Sequence, residues 1–178
     1  MNFFKRFFGH LHTINRHRRL VRKYAFKVGI GFQGIKHDLS KYSFTEFIPG
    51  VKYFLGTASP TQKERKENGY SKAWMHHKGR NKHHHEYWTD YNDELGKYVP
   101  IEMPIKYVKE MFCDRIAASK VYKKDKYTDA SPLEYFHAKL DKDIMHENTQ
   151  KLLESWLIML RDKGEKETFK YLKKIKNK

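Results

Sequence analysis

Apolar residues recur along the chain at spacings of three and four, the signature of amphipathic helices. Over residues 11–30, Ile14, His17, Val21, Tyr24 and Val28 fall on one stripe, and Gly29, Gly31 and Gly34 loosen or end that helix. Ser43-Phe-Thr-Glu46 has the order of a capping box and opens a helix to about Phe54. Ser59-Pro60 starts another that runs toward Met75–His77, where Gly79-Arg80-Asn81 breaks it. His83 to Trp88 reads as a turn or short helix. Pro104 opens a helix to about Tyr122, and Ser131-Pro132-Leu133-Glu134 combines an N-cap, a first-turn Pro and a box Glu. A last long helix covers about Asn148 to Lys163, with Gly164 as its stop and a short basic helix or tail over 165–178. No alternating strand pattern is visible. The pattern predicts an all-α fold in a single compact helical domain over residues 1–178, with residues 1–10 as a flexible start.

Several polar residues interrupt the apolar stripes. His17 sits inside the first one, where it reads either as a core histidine bonded to a carbonyl or as a ligand. Asp114 shares a helix side with Tyr107, Ala118 and Val121. A carboxylate aimed at a core needs a cation or several donors. His77 follows Tyr70, Ala73 and Trp74 at helical spacing, and His37-Asp38 lies between Ile35 and Leu39. Imidazole and carboxylate together are the usual donors for Zn, Mn, Fe, Co or Ni, with Mg also admitted. The residues therefore point to one or two divalent metal ions, with Asp38 placed to bridge a pair.

The order His17, His37-Asp38, His77, His84, Asp114 resembles the H…HD…H…H…D pattern of the HD-domain superfamily of helical metal-dependent phosphohydrolases. His37-Asp-Leu-Ser-Lys41, Asn81-x-His83-His84-x-Glu86-Tyr87-Trp88 and Glu110-Met-x-x-Asp114 are similar to a helical family related to HD domains. Ser131-Pro-Leu-Glu134-Tyr135 and Met145-His146 belong to the same likeness. The superfamily resemblance implies one ion on His17, His37, Asp38 and Asp114. It implies a second on His77 and His84, with Asp38 shared. His76 and His83 are the alternative ligands in the histidine run, and His85 is expected to face solvent. Lys41, one turn beyond His37 if the segment is helical, would meet a phosphate oxygen. Asp38 and Lys41 are thus the candidate catalytic pair, and Glu86 either orients a ligand histidine from behind or simply faces water. Trp74, Tyr87 and Trp88 read as core aromatics before base-stacking ones. Substrate selection falls to the segments around 56–72 and 89–103.

Composition narrows the partners. The chain has 178 residues, with Lys and Arg at 37 against 21 for Asp and Glu, a formal net charge of +16. That field favours anions: a nucleotide, another phosphorylated small molecule, nucleic acid or acidic lipid. No apolar stretch is long enough to span a bilayer. The single cysteine, Cys113, forms no internal disulfide, which makes a cytoplasmic location the default. The leading expectation is a metal-dependent phosphohydrolase acting on a nucleotide or other phosphate ester. Three rivals remain: an HD-type di-iron oxygenase; a nucleic-acid binder gripping phosphates through Arg16, Arg18, Arg19, Arg22 and Lys23; and contact of the aromatic, basic first ten residues with a membrane surface. Lys173, Lys174, Lys176 and Lys178 read as a solvated basic surface.

Overall fold

The computed structural model describes residues 1–138 and 144–177, so Lys178 lies outside the described residues. It is all-α, as the periodicity predicts, with one small exception. Eight α-helices appear among the described residues: α1 (Phe3–Lys27), α2 (Gly31–Lys36), α3 (Phe44–Lys52), α4 (Pro60–Asn68), α5 (Lys72–Lys78), α6 (Ile105–Lys123), α7 (Ser131–His137) and α8 (Glu147–Lys174). No helix is long and apolar enough to cross a membrane among the described residues.

Four boundaries differ from the sequence expectation, each for a local reason. The start is helical rather than flexible, because Asn2 caps α1 by accepting a bond from the Lys5 N–H at 2.9 Å. The helix expected from Ser59 to about His77 is two. Gly69, at φ 78°, ends α4, and Ser71 restarts the chain by accepting from the Trp74 N–H. Buried Glu64 locks that corner through the Ser71 hydroxyl and the Lys72 N–H. The expected stop at Gly164 is a kink instead: its φ of 73° interrupts α8, and the basic helix continues behind it to Lys174. Finally, β1 (Thr89–Asn92) and β2 (Lys97–Pro100) form an antiparallel hairpin with Thr89 opposite Pro100. Four-residue exposed strands are too short to write an alternation. Gly96 at φ 61° and the Asn92 side chain, which accepts from the Leu95 N–H, make the turn.

The core lies between α1, α6 and α8. Val21, Tyr24, Phe112, Ile116, Trp156 and Leu160 are all buried in one cluster. Tyr24 stacks on Phe169 at 5.2 Å, joining α1 to the far half of α8. The α2 backbone presses on α1 because Gly34 carries no side chain; a Cβ there would stand 2.3 Å from the Ala25 Cβ. This close approach carries the chain straight from the core into His37 and Asp38.

Lys109 of α6 is fully buried. Its ammonium donates to the carbonyls of Val28 (3.2 Å) and Ile175 (2.7 Å) and to Asn177 Oδ1 (2.7 Å). It therefore ties the ends of α1 and α8 to α6, and burial draws its pKa down from the usual lysine range. Lys109→Met is expected to cost about 1–3 kcal/mol, since the carbonyls it leaves lose their donor. Urea unfolding measures this. A loss below about 0.5 kcal/mol would mean that water reaches those carbonyls unaided.

Candidate metal centre

Three turns of chain deliver the central residues. His17 stands on the core-facing stripe of α1. Next to it, Arg18 donates from Nε to the His37 carbonyl (2.8 Å) and from Nη2 to the Ile35 carbonyl (3.0 Å). That grip fixes the end of α2. The chain then reverses through Asp38, whose backbone is left-handed at φ 55°, a conformation Asp tolerates better than most residues. Lys41 follows on a 3₁₀ turn over Leu39–Tyr42, so it is set by that turn and not by a helix continuing from His37. Arg18 is thereby committed to the backbone and drops out of the expected phosphate-gripping cluster.

The structure brings His17, His37, Asp38 and Asp114 together. His17 Nε2 lies 2.9 Å from Asp114 Oδ1, 3.3 Å from His37 Nε2 and 3.5 Å from Asp38 Oδ2. His37 Nε2 lies 3.3 Å from Asp38 Oδ2 and 3.6 Å from Asp114 Oδ1. An ion held at about 2.1 Å spaces its ligand atoms about 3.0 Å apart in an octahedron and about 3.4 Å in a tetrahedron. The observed edges span those values. Two imidazole nitrogens facing each other at 3.3 Å between carboxylates also need a cation, or a shared proton, to be stable.

A second group forms on the other oxygen of the same carboxylate. Asp38 Oδ1 lies 3.3 Å from His77 Nε2 and 3.5 Å from His83 Nε2, and His84 completes the cluster. Asp38 Oδ1 and the Nε2 atoms of His83 and His84 are buried without a hydrogen-bond partner. Buried polar atoms are rarely left so, and three converging on one point are a donor set suited to a cation. Asp38 itself is completely buried. Both His83 and His84, expected as alternatives for one position, belong to this group. His76 does not: its Nδ1 bonds Glu46 Oε1 at 2.7 Å.

Two carboxylates stand behind the histidines. Glu110 Oε1 accepts from His37 Nδ1 at 2.8 Å and lies 3.2 Å from His83 Nδ1, while its other oxygen accepts from Gln33. Glu46 Oε2 accepts from His77 Nδ1 at 2.7 Å. Each bond fixes the ring with Nε2 turned toward its group. These residues do what Glu86 was expected to do. Glu86 instead lies 3.4 Å from His85, which belongs to neither group. His85 is buried rather than solvent-facing, because the 3₁₀ turn over His85–Tyr87 rotates it inward. Sequence reasoning missed the supporting acids for identifiable reasons. Glu46 was read as closing a capping box, yet Ser43 makes no cap bond and the Glu46 side chain turns away to α5. Glu110 lies one turn before Asp114 on α6, and that spacing was the available signal.

Burial and charge oppose each other at the three carboxylates Asp38, Glu110 and Asp114. Burial raises the Glu110 carboxyl, but His37 and His83 hold it down to about 2. Burial likewise works against ionised Asp38, and His37, Lys41 and His77 overcome it, keeping the carboxyl well below its ordinary range. Asp114 is held low in the same way by His17 and His37. His83 and His84 are pushed down, first by burial and then by neighbouring imidazoles. That direction favours the neutral ring, the form that binds metal.

The groups open on a cavity of about 590 Å³. Lys41, Arg65, Arg115 and Lys123 line it, and Trp74 stands against it with its ring 4.7 Å from that of His84. Arg65 covers the Trp74 ring at 5.2 Å. Residues 57–65 contribute to the wall, whereas none of 89–103 does. Tyr87 and Trp88 are elsewhere, Trp88 packing on Tyr107 at 5.4 Å.

Residues 6–159 match the model of the family described as "Family of unknown function (DUF5662)". The chain belongs to that family. The matched span holds both His/Asp clusters, Glu46, Glu110 and Lys41. Comparisons with curated proteins and with solved structures return no match.

Glu110→Gln keeps the shape of this support but takes away its charge. It is expected to weaken retention of Mn or Zn by roughly 10–100-fold in a chelator competition. His76→Ala, on the same scale, is expected to change little. Equal effects of the two would remove Glu110 from the role assigned to it.

Proposed function

We propose that this chain is a metal-dependent phosphohydrolase that acts on a nucleotide or another phosphate ester through a binuclear His/Asp centre. One observation carries the reading. Asp38 turns Oδ2 toward His17 and His37 and Oδ1 toward His77 and His83, so a single carboxylate is shared by two ligand groups. His17, His37, Asp38 and Asp114 would hold one ion, and Asp38, His77, His83 and His84 the other. Divalent ions in such a pair lower the pKa of a bound water and neutralise charge on phosphoryl oxygens. The donor mixture accepts Mn, Fe, Co, Ni or Zn, with Mg as the hard-cation alternative.

The chain's own residues supply the rest. Lys41 Nζ lies 2.6 Å from Asp38 Oδ2 on the cavity wall. Burial alone would lower its pKa, but Asp38 and Asp114 push it above the usual lysine range, so it stays charged throughout working pH. A phosphate oxygen entering the cavity therefore meets a fixed cation beside the shared carboxylate. Arg115 and Lys123 extend that positive wall. The net charge of +16 raises the local concentration of anions and speeds their arrival. Glu46 and Glu110 hold the Nδ1 protons of His77 and His37, which keeps the opposite nitrogens aimed inward during turnover.

Hydrolysis of p-nitrophenyl phosphate, nucleotides and cyclic nucleotides is expected from protein loaded in turn with Mn, Co, Ni, Mg and Zn. Lys41→Met should raise KM by about tenfold while metal content stays unchanged. Absence of hydrolysis with every metal would sink the proposal. A coloured, iron-loaded protein that consumes oxygen would move the same ligand set to the oxygenase reading.

A further inference from the structure

The first helix is built against its own electrostatics. No Asp or Glu occurs before Asp38. The first turn of α1 carries Lys5 and no acid, the reverse of what the helix dipole favours. It also exposes large apolar side chains: Phe3 is 64% exposed, Phe4 69% and Phe8 61%. Phe4 and Phe8 lie one turn apart, on the side of α1 away from core-facing His10, Ile14 and His17. The same outer line continues through exposed His12, Asn15, Arg19, Arg22 and Lys23. Its aromatic half is therefore followed by a basic half.

The aromatic half is one surface. Ring centroids link Phe4 to Phe3 (5.8 Å), Phe3 to Phe7 (6.1 Å), and Phe7 to both Phe8 and Phe47 (5.3 Å each). Phe47 belongs to α3, which also presents Phe44 and Ile48 to solvent. Arg6 fastens the two helices by donating to the Lys52 carbonyl at 3.0 Å. Exposed aromatic clusters on a folded chain mark an interaction site.

Charge chooses the occupant. A second copy of this chain would bring Lys5 and Lys52 of both copies together with no carboxylate of α1 to meet them. Single-stranded nucleic acid needs flat stacking platforms, whereas Phe3–Phe4 and Phe7–Phe8 meet edge-on at 76° and 81°. An acidic bilayer satisfies both halves, since rings enter the acyl boundary and basic side chains meet headgroup phosphates. We propose that α1 docks this protein on an acidic membrane surface, with Phe3, Phe4 and Phe8 inserted and Lys5, Arg19, Arg22 and Lys23 on the headgroups.

The test is co-sedimentation of the full chain with phosphatidylcholine vesicles, with and without phosphatidylglycerol. Binding is expected to the acidic vesicles and to fall at least about tenfold in Phe4→Ser/Phe8→Ser. Helix content and metal content should be unchanged in that variant, because both residues are exposed and remote from the ligands. A tryptophan at position 4 (Phe4→Trp) should blue-shift on acidic vesicles. Equal binding of the native chain and the double variant would overturn the proposal, as would an unshifted spectrum. So would a dimer that depends on Phe4 and Phe8 in a chain that ignores vesicles.

Discussion

A single carboxylate organises this molecule. Asp38 is wholly buried, and a buried anion is tolerated only when cations and donors surround it. Here the surroundings are His17, His37, His77, His83 and Lys41, brought from α1, the α2 end, α5 and the segments that follow them. Removing the carboxylate would leave several imidazoles crowded together around one charged lysine. Keeping it without cations would strand its Oδ1. Lys41 supplies positive charge at Oδ2, and the imidazoles of His77 and His83 face Oδ1.

Much of the fold can be read as support for that balance. Gly34 lets α2 lie against α1, so that His37 emerges beside His17. Arg18 holds the carbonyls that end α2, and the left-handed backbone at Asp38 then points its carboxylate back into the protein. Glu110 reaches one histidine of each group, coupling the orientation of His37 to that of His83. Glu46 orients His77 alone of the clustered rings, from α3. On the far side, Lys109 and the α1–α6–α8 core carry no chemistry of this kind, and they hold α6 at the height where Asp114 meets His17.

The helical class and most of the clustered histidines and carboxylates were legible in the sequence because they rest on period. His17 and Asp114 interrupt apolar stripes, and His77 continues one, so each announces an inward direction. Period says nothing about residues held by loops. Whether His83 or His84 turned inward depended on the 3₁₀ turn at His85, and both proved to converge with His77. The same turn buried His85. Glu46 was invisible as a support because its spacing from Ser43 matched a local capping pattern, and a tertiary bond to His77 outweighed the local one. Glu86 shows the opposite case: adjacency in sequence to the histidine run suggested it, and the structure places it beside His85. The hairpin over 89–100 was too short and too exposed to show alternation.

The claim that Asp38 joins two ligand groups is tested most directly by metal stoichiometry, measured by elemental analysis on metal-saturated protein. The account predicts two transition ions per native chain, one in His84→Ala and none in Asp38→Ala. A native chain that takes up no metal after reloading, or an Asp38→Ala chain that keeps both ions, would contradict it.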